Sequence, residues 1–111
     1  MIIGVPREIK EQEFRVALSP SAAYQLIKRG HEVLVERGAG AGAGFPDSDY
    51  ARAGTGILDD HAELFERAEL VVKVKEPQPS EYPLLRPEQM LFVSIAWPTC
   101  RQPIPAPRRR R

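Results

Sequence analysis

The sequence predicts an α/β layered domain on a largely parallel sheet. Three observations predict it. Short β-rich runs at Met1–Val5, Val33–Val35 and Leu70–Val74 alternate with stretches whose apolar residues recur at helical spacing. Helix starts and stops stand between them, as at Ser19-Pro20 and Gly30. The chain of 111 residues is 42% hydrophobic and 28% charged, which suits one globular domain burying about 65% of its unfolded surface.

Each element has a local reason. Met1 to Val5 is a first strand that Pro6 ends. Arg7 to Arg15 is highly charged and has no period, so it reads as a loop, and Val16 to Leu18 as a brief extension. Ser19 can accept a free N–H, and Pro20 suits the first helical position. Ala22, Ala23, Leu26 and Ile27 then recur at helical spacing, Lys28 and Arg29 fill the last turn, and Gly30 stops the helix. His31 to Arg37 is a second strand. Gly38 to Gly44 alternates glycine with alanine in a loop closed by Phe45-Pro46. Asp47 or Ser48 caps a short helix through Ala53, and another follows Asp59-Asp60 with Ala62, Leu64, Phe65 and Ala68 on one face. Leu70 to Val74 is a strand, Pro79 to Pro87 is turn-rich, and Met90 to Ile95 is a strong apolar strand. From Pro98 onwards nothing is periodic, and disorder is expected.

Composition excludes several functions. No apolar run is long enough to span a bilayer, and Met1 opens no signal-peptide pattern. A single cysteine, Cys100, excludes a disulfide scaffold or a cysteine-rich zinc site and fits the cytoplasm. The net charge of +1 conceals a split. Residues 1–97 hold 15 acids and 11 basic residues, whereas 98–111 hold five arginines, no acid and four prolines. Arg108 to Arg111 could contact phosphate, but without interleaved aromatics no nucleic acid is expected as a partner.

Three features could carry chemistry. Gly38-x-Gly40-x-x-Ala43 follows a strand and fits a dinucleotide fingerprint, with Asp59 about 20 residues on. That fingerprint must open directly into a helix, and here Gly44, Phe45 and Pro46 intervene, so no NAD site is assigned. Arg15 beyond the first strand and Lys75 at the end of another lie where parallel sheets bind ligands. An arginine there can grip a carboxylate bidentately, and a lysine can place a point charge on a carbonyl oxygen; from spacing alone, solvated surface cations are the simpler reading. Glu8, Glu13 and Glu76 could orient them. His31 and His61 have no matched partner in the sequence and read as structural or solvated.

The residues Gly4-Val5-Pro6-Arg7-Glu8 and Glu13-Phe14-Arg15-Val16-Ala17-Leu18-Ser19-Pro20 closely resemble the N-terminal signature of alanine dehydrogenases and the related transhydrogenase α-subunits. The resemblance continues through Gly30-His31-Glu32-Val33, Gly38-Ala39-Gly40 and Lys73-Val74-Lys75-Glu76-Pro77, with Gln12 where the family usually has Asn. Lys75-Glu76-Pro77 leans to alanine dehydrogenase and Trp97-Pro98 to the transhydrogenase branch; the longer match decides for the former. The resemblance implies a partial three-layer domain over 1–97. It also implies NAD-dependent interconversion of L-alanine with pyruvate and ammonia, and a hexamer in the full-length family. Its substrate arginine and lysine fall on Arg15 and Lys75. By the same resemblance NAD binds a second domain, so none is expected to bind here.

One departure matters. The family carries a catalytic histidine just after the strand matched by Leu91 to Ile95, where this sequence reads Ala96-Trp97-Pro98. General acid–base help is worth about 10²–10⁴-fold, so no catalytic residue is assigned and a truncated chain, inactive alone and not assembling as a hexamer, is expected. Read from the third base of each codon, the codons possible for Ala96 to Pro105 allow Leu-Ala-His-Leu-Pro-Ala-Ala-Asp-Pro. That would restore the family's His-Leu step about two positions late, and a frame interruption or gene fragment is expected for 98–111 rather than a selected basic tail. A stand-alone binding module using that tail is the alternative from another class.

Overall fold

A computed structural model describes residues 1–9 and 15–93. Residues 10–14 of the charged loop, the end of the expected last strand at 94 and 95, Trp97 and the tail from residue 98 lie outside the described residues. The elements run β1 (Ile2–Val5), α1 (Pro20–Lys28), β2 (Glu32–Glu36), a 3-10 turn (Ala41–Ala43), α2 (Asp47–Ala53), β3 (Gly56–Leu58), α3 (His61–Arg67), β4 (Leu70–Lys73), a second 3-10 segment (Pro79–Leu84) and β5 (Met90–Val93). The five strands form one sheet in the order β3-β2-β1-β4-β5, and every pairing is parallel.

Local chemistry explains the helix ends. Ser19 Oγ accepts the Ala22 N–H at 3.2 Å, with Pro20 at the first helical position. Asp60 caps α3 by accepting from the Ala62 N–H at 3.1 Å. The far end of α3 is closed by side chains from the segment before β5. Arg86 Nη2 donates to the Ala68 carbonyl at 2.7 Å, and Gln89 Nε2 donates to the Phe65 and Ala68 carbonyls at 2.6 and 2.8 Å. One short element was not foreseen: Gly56-Ile57-Leu58 forms the edge strand β3. A three-residue run opened by glycine carries too little alternation to announce itself.

The period-2 geometry of the strands sorts the core into two faces. Ile3 and Val5 of β1, Val33 and Val35 of β2 and Val72 of β4 pack with Ala23 of α1 and Tyr50 of α2. On the opposite face Val71 packs with Leu64, Phe65 and Ala68 around α3, and with Leu85. Gly4 lets α3 approach β1: a Cβ there would lie 2.6 Å from Ala68 Cβ and 3.0 Å from Leu64 Cδ2. Two charged residues share the parity of the α3 face, Glu36 in phase with Leu34 and Lys73 in phase with Val71. Both end their strands and both are buried. At the other edge, β5 leaves Met90 and Phe92 exposed.

The order fixes where a ligand can enter. β1 leads to β2 and β3 on one side, and β4 and β5 lie on the other, so the connections leaving β1 and β4 diverge. A crevice opens at such a switch point, beyond the carboxyl ends of the strands. Here it falls after Val5 and after Lys73.

Candidate functional site

Arg7, Glu8 and Arg15 from the connection after β1 face Gly38, Ala39, Ala41 and Gly42 from the loop after β2, across a cavity of about 270 Å³. Lys75 follows β4 by two residues and is partly buried. Glu8 joins the two sides. Its Oε2 accepts the Val74 N–H at 2.9 Å, and its Oε1 accepts the Lys75 N–H at 3.4 Å and Lys73 Nζ at 3.1 Å. The two residues predicted for substrate binding therefore stand on segments that Glu8 connects.

Behind Glu8 runs a buried chain of ion pairs. Lys73 Nζ also reaches Glu81 Oε2 at 3.4 Å. Glu81 Oε2 accepts from His61 Nε2 at 2.8 Å, and Glu36 Oε1 accepts from His61 Nδ1 at 2.6 Å. The chain ends on the backbone, with the Arg7 N–H donating to Glu36 Oε1 at 2.8 Å and the Gln78 N–H to Glu81 Oε1 at 2.9 Å. Glu81 is 0% and Lys73 1% exposed, so each charge must be met inside the protein.

His61 corrects the sequence reading that it has no matched partner. Carboxylates only accept, so a ring bonded to one at each nitrogen carries a proton on both and is an imidazolium. Burial opposes that charge, but the hydrogen bonds that the ring donates to Glu36 and Glu81 outweigh it and raise the pKa from 6.5 to about 9. Glu81 is shifted oppositely: burial favours its neutral form, and His61 and Lys73 overcome this to hold its pKa below the usual value. His31 carries a buried Nδ1 that has no hydrogen-bond partner among the described residues.

The glycine loop is tightly turned and spends its amides on itself. The Ala39, Ala41, Ala43, Gly44 and Phe45 N–H groups donate to the carbonyls of Glu36, Gly38, Gly40, Ala41 and Gly40. The Gly38 N–H donates to Asp47 Oδ1 at 2.8 Å, so a carboxylate already occupies the loop's anion-binding direction. Gly40 lies against Tyr50: a Cβ there would lie 2.7 Å from Tyr50 Cε2 and 2.8 Å from its Oη. In a dinucleotide fold of this strand order the phosphate loop follows the first strand, but here it follows β2 and leads into a short α2 with Asp47 and Asp49 in its first turn. These residues do not fit a pyrophosphate. Among the described residues no group of His, Cys, Asp and Glu could hold a metal ion, and no helix is long and apolar enough to cross a membrane.

Residues 4–104 match the family model "Alanine dehydrogenase/PNT, N-terminal domain". An alanine dehydrogenase from Halomonas elongata is 52% identical over 95 residues, covering 86% of this chain and 26% of the relative. An NAD(P) transhydrogenase subunit alpha from Cereibacter sphaeroides is 51% identical over 98 residues, covering 88% and 18%. Among solved structures an L-alanine dehydrogenase superposes with a TM-score of 0.81 at 53% identity, over 84% of this chain and 26% of that one. This chain thus spans about a quarter of the length of the alanine dehydrogenases it matches. Sequence signature, parallel sheet and superposition agree, and the chain belongs to the alanine dehydrogenase/PNT N-terminal domain family.

Proposed function

We propose that residues 1–97 supply the oxo-acid side of an alanine dehydrogenase, the cytoplasmic enzyme that interconverts L-alanine, NAD and water with pyruvate, ammonia and NADH. Arg15 holds the pyruvate carboxylate through two parallel N–H···O bonds, and Lys75 places its ammonium on the carbonyl oxygen, where negative charge develops during reduction. The observation that carries this reading is the cavity that Arg15 and Glu8 line beyond the carboxyl ends of β1 and β2, with Glu8 also tied to the main chain of Lys75. Its 270 Å³ lies just below the about 300–1,000 Å³ of ordinary small-molecule sites, a size for a small acid. The described residues offer no cradle for NAD, and the hydride step is not assigned to them.

A second reading, the corresponding part of a transhydrogenase α-subunit, draws on the near-equal identity to that branch and on Trp97-Pro98. One experiment separates them. Residues 1–93 replace the matching N-terminal stretch of the Halomonas elongata alanine dehydrogenase, and ammonia-dependent oxidation of NADH with pyruvate is measured. Turnover that disappears in Arg15→Ala and Lys75→Ala supports the first reading. A folded chimera that ignores both substitutions refutes it, and nicotinamide-nucleotide exchange without ammonia dependence favours the second.

A further inference from the structure

Glu8 is an unexpected neighbour for an anion site. It lines the same cavity as Arg15, where a bare carboxylate would repel a bound acid. Its charge is already spent: Lys73 Nζ lies 3.1 Å from one oxygen, and the main-chain N–H groups of Val74 and Lys75 donate to the carboxylate at 2.9 and 3.4 Å. Lys73 does not need Glu8 for neutralisation alone, because Glu81 accepts from the same ammonium. What Glu8 adds is a bridge from the connection after β1 to the connection after β4, across the mouth of the crevice.

We propose that Glu8 is the positioning residue of the oxo-acid site, fixing the Val74–Lys75 main chain against the wall that carries Arg15. The buried pairs Lys73–Glu81–His61–Glu36 brace Glu8 from behind. The charged groups on either side of it are Lys73 within the fold and Arg7 and Arg15 on the cavity wall. The inference rests on the oxo-acid reading for its ligand, and on hydrogen-bond geometry alone for the bridge.

The two opposing effects of Glu8→Gln make the test decisive. Removing a negative charge from the wall of an anion site should tighten binding if Glu8 acts only through its charge. Loss of positioning should weaken it, because an amide nitrogen would then face main-chain N–H groups that need an acceptor. The probe is oxamate, a stable analogue of pyruvate, titrated into the full 111-residue chain by calorimetry while the Val74 and Lys75 amide resonances are followed by NMR. The expected result is about tenfold weaker oxamate binding in Glu8→Gln, with both amide resonances displaced. Arg15→Ala should lose oxamate and leave those resonances in place. Unchanged or tighter binding in a folded Glu8→Gln chain overturns the proposal, as do unmoved amides. If the wild-type chain binds no oxamate, the oxo-acid reading fails while the amide shifts still judge the bridge. If Glu8→Gln does not fold, Glu8→Asp decides: it keeps the charge but shortens the reach, so both amides should move, and unmoved Val74 and Lys75 amides in a folded Glu8→Asp chain refute the bridge.

Discussion

Replacing His61 by glutamine removes the central cation of the buried chain and keeps a side chain of similar reach. In the wild type the ring is held charged by Glu36 and Glu81, with its pKa raised from 6.5 to about 9. At about 1.4 kcal/mol per pH unit, that rise is worth about 3 kcal/mol of folding free energy. The sign follows from the direction of the shift. A folded-state pKa above the unfolded one means the contribution is complete below about pH 6.5, shrinks as pH rises, and is gone above about pH 9. Against a total of roughly 5–15 kcal/mol for a domain, this is large enough to measure by urea unfolding followed by circular dichroism. Wild type and His61→Gln should differ by about 3 kcal/mol near pH 6 and converge near pH 9.5. Taking the difference cancels every other group that titrates in this window. A gap that stays constant from about pH 6 to 9.5 would refute the imidazolium assignment, and a wild type with no alkaline loss of stability would do the same.

Other expectations concern packing and caps. Gly40→Ala forces a methyl group into the Tyr50 ring and the Phe45 carbonyl, and should cost about 1–3 kcal/mol in a thermal melt. Tyr50→Phe deletes the hydroxyl that donates to the Leu18 carbonyl at 2.7 Å, for a loss of about 1 kcal/mol. In the wild type the Tyr50 hydroxyl should stay protonated in ultraviolet titration well beyond free tyrosine, because burial and then Asp47 push its pKa up to about 12. Asp60→Ala uncaps α3 and should cost about 1 kcal/mol by urea unfolding, with Asp60→Asn recovering most of it.

Much of the fold was legible because helix caps and strand parity are local signals. Ser19-Pro20, Gly30 and Asp60 mark their helix ends where the structure places them. The strand Gly56–Leu58 was not legible, since its stability comes from pairing with β2 rather than from its own composition. At the site, sequence proximity offered Glu8, Glu13 and Glu76 alike as groups that could orient Arg15 and Lys75; the structure shows Glu8 accepting from the Lys75 N–H, and Glu13 lies outside the described residues. The ion-pair chain escaped because its members come from four separate segments. Part of it had a signal all the same. Glu36 and Lys73 each sit on the parity of a buried strand face, and a charge in that phase demands a buried partner. His61 could not be matched to Glu81 in advance, because the segment carrying Glu81 reads only as turns.

The bridge from Glu8 to Val74 and Lys75 joins residues 66 and 67 positions apart. No hairpin or single helix can preform it; β1 must first be enclosed between β2 and β4. Closing so long a loop consumes chain entropy before the bridge returns anything, so it belongs to the late, cooperative part of folding. The Val74 amide should therefore exchange its hydrogen only when the whole sheet opens, and the crevice at the switch point has no existence apart from the complete fold.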